Sequence, residues 1–349
     1  MRKAIYFFLI MLVLLVGCSN GNEEQVQETD EQNAAEEPAV EEESFENIYP
    51  LTGIGTNEPV NNRIVGVMVN NHTKARPQTG LSHADIVYEI LAEGMITRFL
   101  ALYQSDLPEV VGPVRSAREY YFELANDYNA LYVYHGAANF VNDMIVNRGV
   151  HFLNGAIYDN DGYLFKRESF RKAPHNSYLQ LGSAYEVAEG KGYETTVDYE
   201  ALPFLSEEEV DGLTGESAQK VRVVYSGKHE WANVEYKYDE ETEKYYRFSD
   251  GQQTVELDTN EPIQLDNLFI IETHHQVIDD AGRRAIDFKS GGNGYFIQKG
   301  TFQKVEWENQ DGRIIPVKDG QAIGFVPGQT WINVVPTSPG MEQSVTISE

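Results

Sequence analysis

The chain has 349 residues, 55 acidic against 27 basic side chains, a formal charge of −28 and a single cysteine. One cysteine excludes a disulfide framework and any cysteine-built zinc or iron–sulfur centre, and the acidic balance argues against nucleic acid, whose phosphates need a basic stripe. With 41 % apolar residues, among them 16 Phe, 21 Tyr and 3 Trp, there is ample material for a core, so wholesale disorder is excluded.

Met1-Arg2-Lys3 is a basic start, and residues 4–16 run thirteen positions without a charge. Crossing a bilayer takes about 20 apolar residues, so this run suits a cleaved signal better than a span. It closes on Leu15-Val16-Gly17-Cys18, small residues directly before the only cysteine, the pattern of a bacterial lipoprotein signal. Residues 1–17 are then removed and the Cys18 thiol carries diacylglycerol, whose two acyl chains meet the condition for stable anchoring. An ordinary signal peptide with a chance cysteine is the competing reading. Residues 18–47 follow as a linker. From Ser19 onward it holds eleven acidic residues and no Lys or Arg, a composition that predicts a disordered tether with a span of roughly 30 Å. It leaves −19 for residues 48–349, placing the protein on the outer face of the cell membrane, held by its lipid.

The pattern over 48–215 predicts an α/β domain. Residues 63–70 (RIVGVMVN), 85–93 and 97–104 read as strands, and 116–128 as a helix with capping-box spacing from Ser116 to Glu119. A strand over 130–135 ends at His135, followed by helices over 139–147 and 176–189. Over 216–349 short alternating runs predict a β-rich domain, with strands at 221–225, 233–238, 244–248, 267–273, 284–288, 294–298, 302–307 and 331–335. Some of these are also able to extend the first domain's sheet.

Several segments carry a resemblance: Arg76-Pro77, Ala84-Asp85-Ile86-Val87-Tyr88-Glu89, Glu93-Gly94, Thr97-Arg98-Phe99-Leu100-Ala101, Gly112-Pro113-Val114-Arg115-Ser116-Ala117-Arg118, Arg171 with Ala173-Pro174-His175-Asn176, and Pro327-Gly328-Gln329-Thr330-Trp331-Ile332. In these, and in their order, the chain resembles the YerB-like lipoproteins of Gram-positive bacteria, a family defined by domains of unknown function. The resemblance implies a two-part domain on a lipid-anchored exported protein. It implies no reaction, so it transfers no catalytic residue.

The candidate chemistry gathers on cations. Arg115 and Arg118 flank a helix start, where arginines oppose the macrodipole unless an anion also sits there; pairing with Glu119 or Asp127 is the alternative. His135 ends a strand before Gly136-Ala137-Ala138, where ligand crevices form in open α/β sheets. Arg167, Arg171, Lys172, His175 and Asn176 cluster around Pro174, with His175 a candidate acid or base and Asn176 either a substrate contact or a helix cap. Glu89 and Glu93, four apart, are expected on one strand face, as partners for Arg98 or as acids in glycan cleavage. Asp159-Asn160-Asp161-Gly162 with Glu168 resembles part of a calcium loop but has Ile157 at its first ligand position, and His274-His275 point to opposite faces of a strand. No motif calls for a metal or cofactor.

Two readings compete. In the first, a non-catalytic lipoprotein binds an anionic wall polymer or an envelope protein through a cleft lined by Arg98, Arg115, Arg118, Arg167, Arg171 and Asn176. In the second, a cell-wall hydrolase or transferase on glycan or phosphodiester linkages uses His175 or His135 with Glu93.

Overall fold

Apolar runs with both faces hydrophobic become strands buried along their whole length, and four such strands form the centre of the molecule. The computed structural model describes residues 45–349; the signal and nearly all of the predicted tether lie outside them. In chain order the principal strands are β1 (Val65–Asn70), β2 (Ile86–Leu91), β3 (Thr97–Tyr103), β4 (Leu131–Tyr134), β5 (Phe152–Asn154), β6 (Phe165–Arg167), β7 (Ser177–Gln180) and β8 (Lys220–Val223). They continue with β9 (Val234–Asp239), β10 (Lys244–Ser249), β11 (Asn267–Thr273), β12 (Gly292–Gln298), β13 (Thr301–Gln310), β14 (Arg313–Lys318), β15 (Thr330–Pro336) and β16 (Val345–Ser348). The helices that matter for the site are α1 (Glu119–Asp127), α2 (Asn139–Asn147) and α3 (Ala184–Gly190).

One sheet runs through both halves of the chain. Its order is Gln321–Ala322, β14, β13, β12, β11, β15, β2, β3, β1, β4, β5. The second half's β15 pairs in parallel with both β11 and the first half's β2. Antiparallel β3 sits between β2 and β1, and β1, β4 and β5 are mutually parallel. The carboxyl ends of β11, β15, β2, β1, β4 and β5 therefore share one edge of the sheet. Strands of the second half thus extend the first domain's sheet, the alternative left open above; β8, β9, β10 and β16 form a second, smaller sheet with two short strands, and β6 and β7 pair with Val110–Val111 in a three-stranded one.

Side-chain alternation assigns the layers. Val65, Val67, Val69, Val87 and Phe99 face the smaller sheet's Val221, Val223, Tyr236 and Tyr245 together with α3. Met68, Tyr88, Ile90, Leu100 and Leu102 face Tyr120, Tyr121, Leu124 and Ala125 of α1 and Val141 and Ile145 of α2. Burying each such large side chain contributes about 1.5–3 kcal/mol. Gly66 lets α1 approach closely, because a Cβ there would stand 3.2 Å from Leu102 and 3.4 Å from Ala125.

One ion pair crosses this core. Glu89 on β2 accepts two hydrogen bonds from Arg247 Nη2 on β10, at 2.9 and 3.0 Å, and both residues are 1 % exposed. Trp331 Nε1 and Thr97 Oγ1 donate to the same carboxylate at 3.0 and 2.9 Å, while the Arg247 guanidinium lies over the Phe99 and Trp331 rings.

Several local expectations change. Helix α1 starts at Glu119 with Arg118 at its N-cap and no side-chain cap, so the Ser116–Glu119 box does not form. The predicted helix over 176–189 is instead strand β7 followed by a 3-10 turn and α3, because Ser177–Gln180 is held between β6 and Val110–Val111. Asn176 consequently caps no helix. Glu89 and Glu93 do not share a face: β2 ends at Leu91, and the Glu93-Gly94 turn, with φ +62° at Gly94, carries Glu93 to the α1 side. Asp161 Oδ1 accepts the backbone N–H groups of Tyr163, Leu164 and Phe165, closing a turn where part of a calcium loop was considered.

Candidate functional site

The carboxyl edge of the sheet brings most of the candidate residues together. Strand β1 ends in Asn70, β4 runs into His135, and the segment 113–115 is laid between them: Asn70 N–H donates to Pro113 O, Arg115 N–H to Met68 O and His135 N–H to Arg115 O. Val114 N–H donates to Ser177 O, which ties in β7 and the loop bearing His175 and Asn176. Arg115 thus stands where three segments meet.

Its neighbours are spent on one another. Glu93 accepts from Arg98 Nη2 at 2.8 Å and from Arg118 Nε, and Arg98 Nη1 also donates to Ser116 O at 2.8 Å. Burial alone would push the Glu93 carboxyl up, but the Arg118 hydrogen bond and both guanidinium charges hold it below the usual range. The alternative partners considered from sequence are not used, since Glu119 pairs with Arg148. Arg115 is different. Half-buried, its guanidinium makes no hydrogen bond or ion pair with any described residue, and its nitrogens are not sealed from solvent. Burial, then the Arg98 and Arg118 charges, push it down to about 10.

Three histidines surround it. His175, 9 % exposed, meets Asn70 Nδ2 through Nδ1 at 3.0 Å, and its ring lies 4.7 Å from that of His72. His135 meets Ser177 Oγ through Nδ1 at 2.8 Å and Arg167 Nη2 through Nε2 at 3.2 Å. Arg167 in turn grips Asp159 at 2.6 and 3.0 Å and Asn176 Oδ1 at 2.9 Å. All three imidazoles are held below the ordinary histidine value. Burial leads in each case, followed by Lys74 and Arg115 for His72, by His72 and Arg115 for His175, and by Arg167 for His135. Arg171 stays at the rim, donating to Tyr178 Oη at 2.7 Å and to Pro77 O. Sequence reasoning missed Asn70 and His72, although the strand-end rule applied to His135 applies equally to the end of RIVGVMVN.

Two family models match this chain: the N-terminal domain of a protein of unknown function (DUF3048) over residues 51–194, and the C-terminal domain of the same family over residues 221–332. The chain belongs to the DUF3048 family. A curated relative, "Putative lipoprotein YerB" of Bacillus subtilis (strain 168), is 46 % identical over 288 residues, covering 82 % of this chain and 86 % of the relative. The crystal structure of YerB protein from Bacillus subtilis superposes with a TM-score of 0.79 at 44 % identity, covering 87 % of this chain and all of that one. The resemblance read from the sequence motifs is thereby established. In DUF3048 terms, the cationic edge is built wholly from the N-terminal family domain, and the Glu89–Arg247 pair joins that domain to the C-terminal one. Among the described residues no helix is long and apolar enough to cross a membrane.

Proposed function

We propose that this chain is a lipid-anchored protein on the outer face of the cell membrane that binds an anionic envelope polymer through the face centred on Arg115. The anchoring half draws on the lipobox at Cys18 and on a 46 % identical relative named as a lipoprotein. The binding half rests on one observation. In a body of net charge −19, with carboxylates in excess, a half-buried guanidinium is left without any partner among the described residues, beside two other arginines that share a single carboxylate. Desolvating a charge without pairing it is costly, and a guanidinium fork matches phosphate oxygens in geometry and charge.

The enzyme reading, with His175 or His135 acting beside Glu93, draws less support. A general base needs a ring nitrogen with a free lone pair facing substrate. His135 has both nitrogens engaged, and His175 has its Nδ1 taken by Asn70. Glu93 is held ionised by two arginines and hydrogen-bonds neither histidine.

The test is titration of the full chain in non-ionic detergent with teichoic-acid and peptidoglycan fragments at two ionic strengths. Teichoic acid should bind, more weakly as salt screens the contacts, and Arg115→Gln should weaken it about tenfold or more. Equal affinity in both proteins would remove the site, and fragment turnover that disappears in His175→Ala would favour the enzyme. Fatty-acid labelling should vanish in Cys18→Ala; retained label would place the anchor elsewhere.

A further inference from the structure

The hydrogen bonds around His72 and His175 fix where their protons sit. His72 Nδ1 accepts the Lys74 backbone N–H at 3.1 Å, so the ring carries its proton on Nε2. The His72 backbone N–H donates to Asn70 Oδ1 at 3.0 Å. That bond turns the amide nitrogen of Asn70 toward His175 Nδ1, 3.0 Å away. An amide nitrogen only donates, so His175 Nδ1 accepts and this ring, too, has its proton on Nε2. Among the described residues neither Nε2 has a partner, and neither is enclosed. Protonating His175 at Nδ1 would require the Asn70 amide to turn and give up the His72 bond. The charged groups acting on the two rings are Lys74, Arg76, Arg115 and Arg171, all cations.

The face therefore offers donors: two neutral imidazole N–H groups and the Arg115 fork, while the Glu93 carboxylate that acts on Arg115 is itself taken up by Arg98 and Arg118. Resting on the anion-binding reading above, we infer that this site selects oxyanions that carry no proton of their own, phosphodiesters above all, and discriminates against hydrogenphosphate. A P–OH group is itself a donor, and in a half-buried site facing only N–H groups it loses its hydrogen bond to water without gaining another. A phosphodiester has no such group. Asn70 is the positioning residue, because it holds His175 in the donating tautomer.

Sulfate and hydrogenphosphate have the same charge and shape at about pH 8 and differ by one O–H, so they isolate this effect from charge. The full chain in non-ionic detergent is titrated with sulfate, inorganic phosphate and dimethyl phosphate. Sulfate should bind about tenfold or more tightly than inorganic phosphate, dimethyl phosphate should bind despite its lower charge, and sulfate affinity should stay flat between about pH 7 and 9 because no imidazolium takes part. Nitrogen-15 NMR of the unsubstituted protein should show His175 protonated at Nε2 and bare at Nδ1. Asn70→Ala should lose the preference for sulfate while keeping part of the affinity. If sulfate and phosphate bind equally and both are lost in Arg115→Gln, the anion site stands and the donor-only inference falls. A proton on His175 Nδ1 overturns it as well. If none of the three anions binds, both readings fail.

Discussion

Arg247 and Arg115 are the same side chain put to opposite uses. Arg247 is sealed in the core with a carboxylate, two aromatic faces and the Thr254 hydroxyl around it. Arg115 stands at the sheet's edge with other arginines and neutral imidazoles for company and no partner among the described residues. A buried charge paired with its counter-ion constrains which segments meet, since removing either half strands the other. An unpaired, half-buried charge weakens the fold rather than holding it and is poised for something outside it. The contrast separates residues that make the structure from residues that the structure presents.

The largest expected effect is at the core pair. Arg247→Met should cost about 3–5 kcal/mol in urea unfolding by leaving Glu89 buried and unpaired, and adding Glu89→Leu should restore most of it. A loss under about 1 kcal/mol in the single variant would break the contrast. Next comes Glu93→Gln. Releasing Arg98 and Arg118 from their shared carboxylate should destabilise by about 1–3 kcal/mol and at the same time tighten anion binding severalfold; weakened binding would show that Glu93 helps hold the ligand. Arg115→Gln should destabilise by no more than about 0.5 kcal/mol, or stabilise, while the teichoic-acid affinity collapses, and a large stability loss would make Arg115 a second structural arginine.

The smallest effects concern pH, and the two edges of the sheet have opposite signs. At the carboxyl edge, imidazoles with lowered pKa values make the unfolded state bind more protons, so stability falls as pH drops through about 6.5. Arg115→Gln should shallow that acid slope by removing a cation from their surroundings. At the other edge Asp85, before β2, is pushed up to about 7 by burial, against the opposing hydrogen bonds from Ser105. Its contribution is complete below about pH 4 and lost as pH rises through about 7. Asp85→Asn should therefore raise the melting temperature at about pH 8 by a few degrees, less at about pH 5 and not at all at about pH 4; equal shifts at about pH 8 and about pH 4 would refute the assignment.

Much of this was legible in the chain, and the failures have physical causes. Strand β1 and helix α2 follow from apolar periodicity, and Asn139–Asn147 begins and ends where the pattern does. The stretch after Pro174 misled because its apolar spacing suits a helix, whereas pairing with Phe165–Arg167 and Val110–Val111 holds Ser177–Gln180 extended. Tertiary partners overrode local pattern there. A cleft lined by Arg98, Arg115, Arg118, Arg167, Arg171 and Asn176 was expected from the motifs. Which arginine remains free was not, because that depends on Glu93 leaving the β2 face at Gly94. Arg247 had no signal at all: an arginine in an alternating strand reads as solvent-facing until its neighbours are known.

Strand β15 has a consequence for how the molecule comes into being. It lies between β11 and β2, and its Asn333 reaches Glu89 across 244 positions of sequence. A chain emerging amino end first holds β1, β2 and β3 ready long before residue 336 arrives, with one flank of β2 unpaired throughout. Contacts this distant make for slow folding, and a bare, apolar strand flank is a template for pairing with the wrong chain. The N-terminal family domain produced alone should consequently aggregate, and folding during synthesis should await residues 330–349.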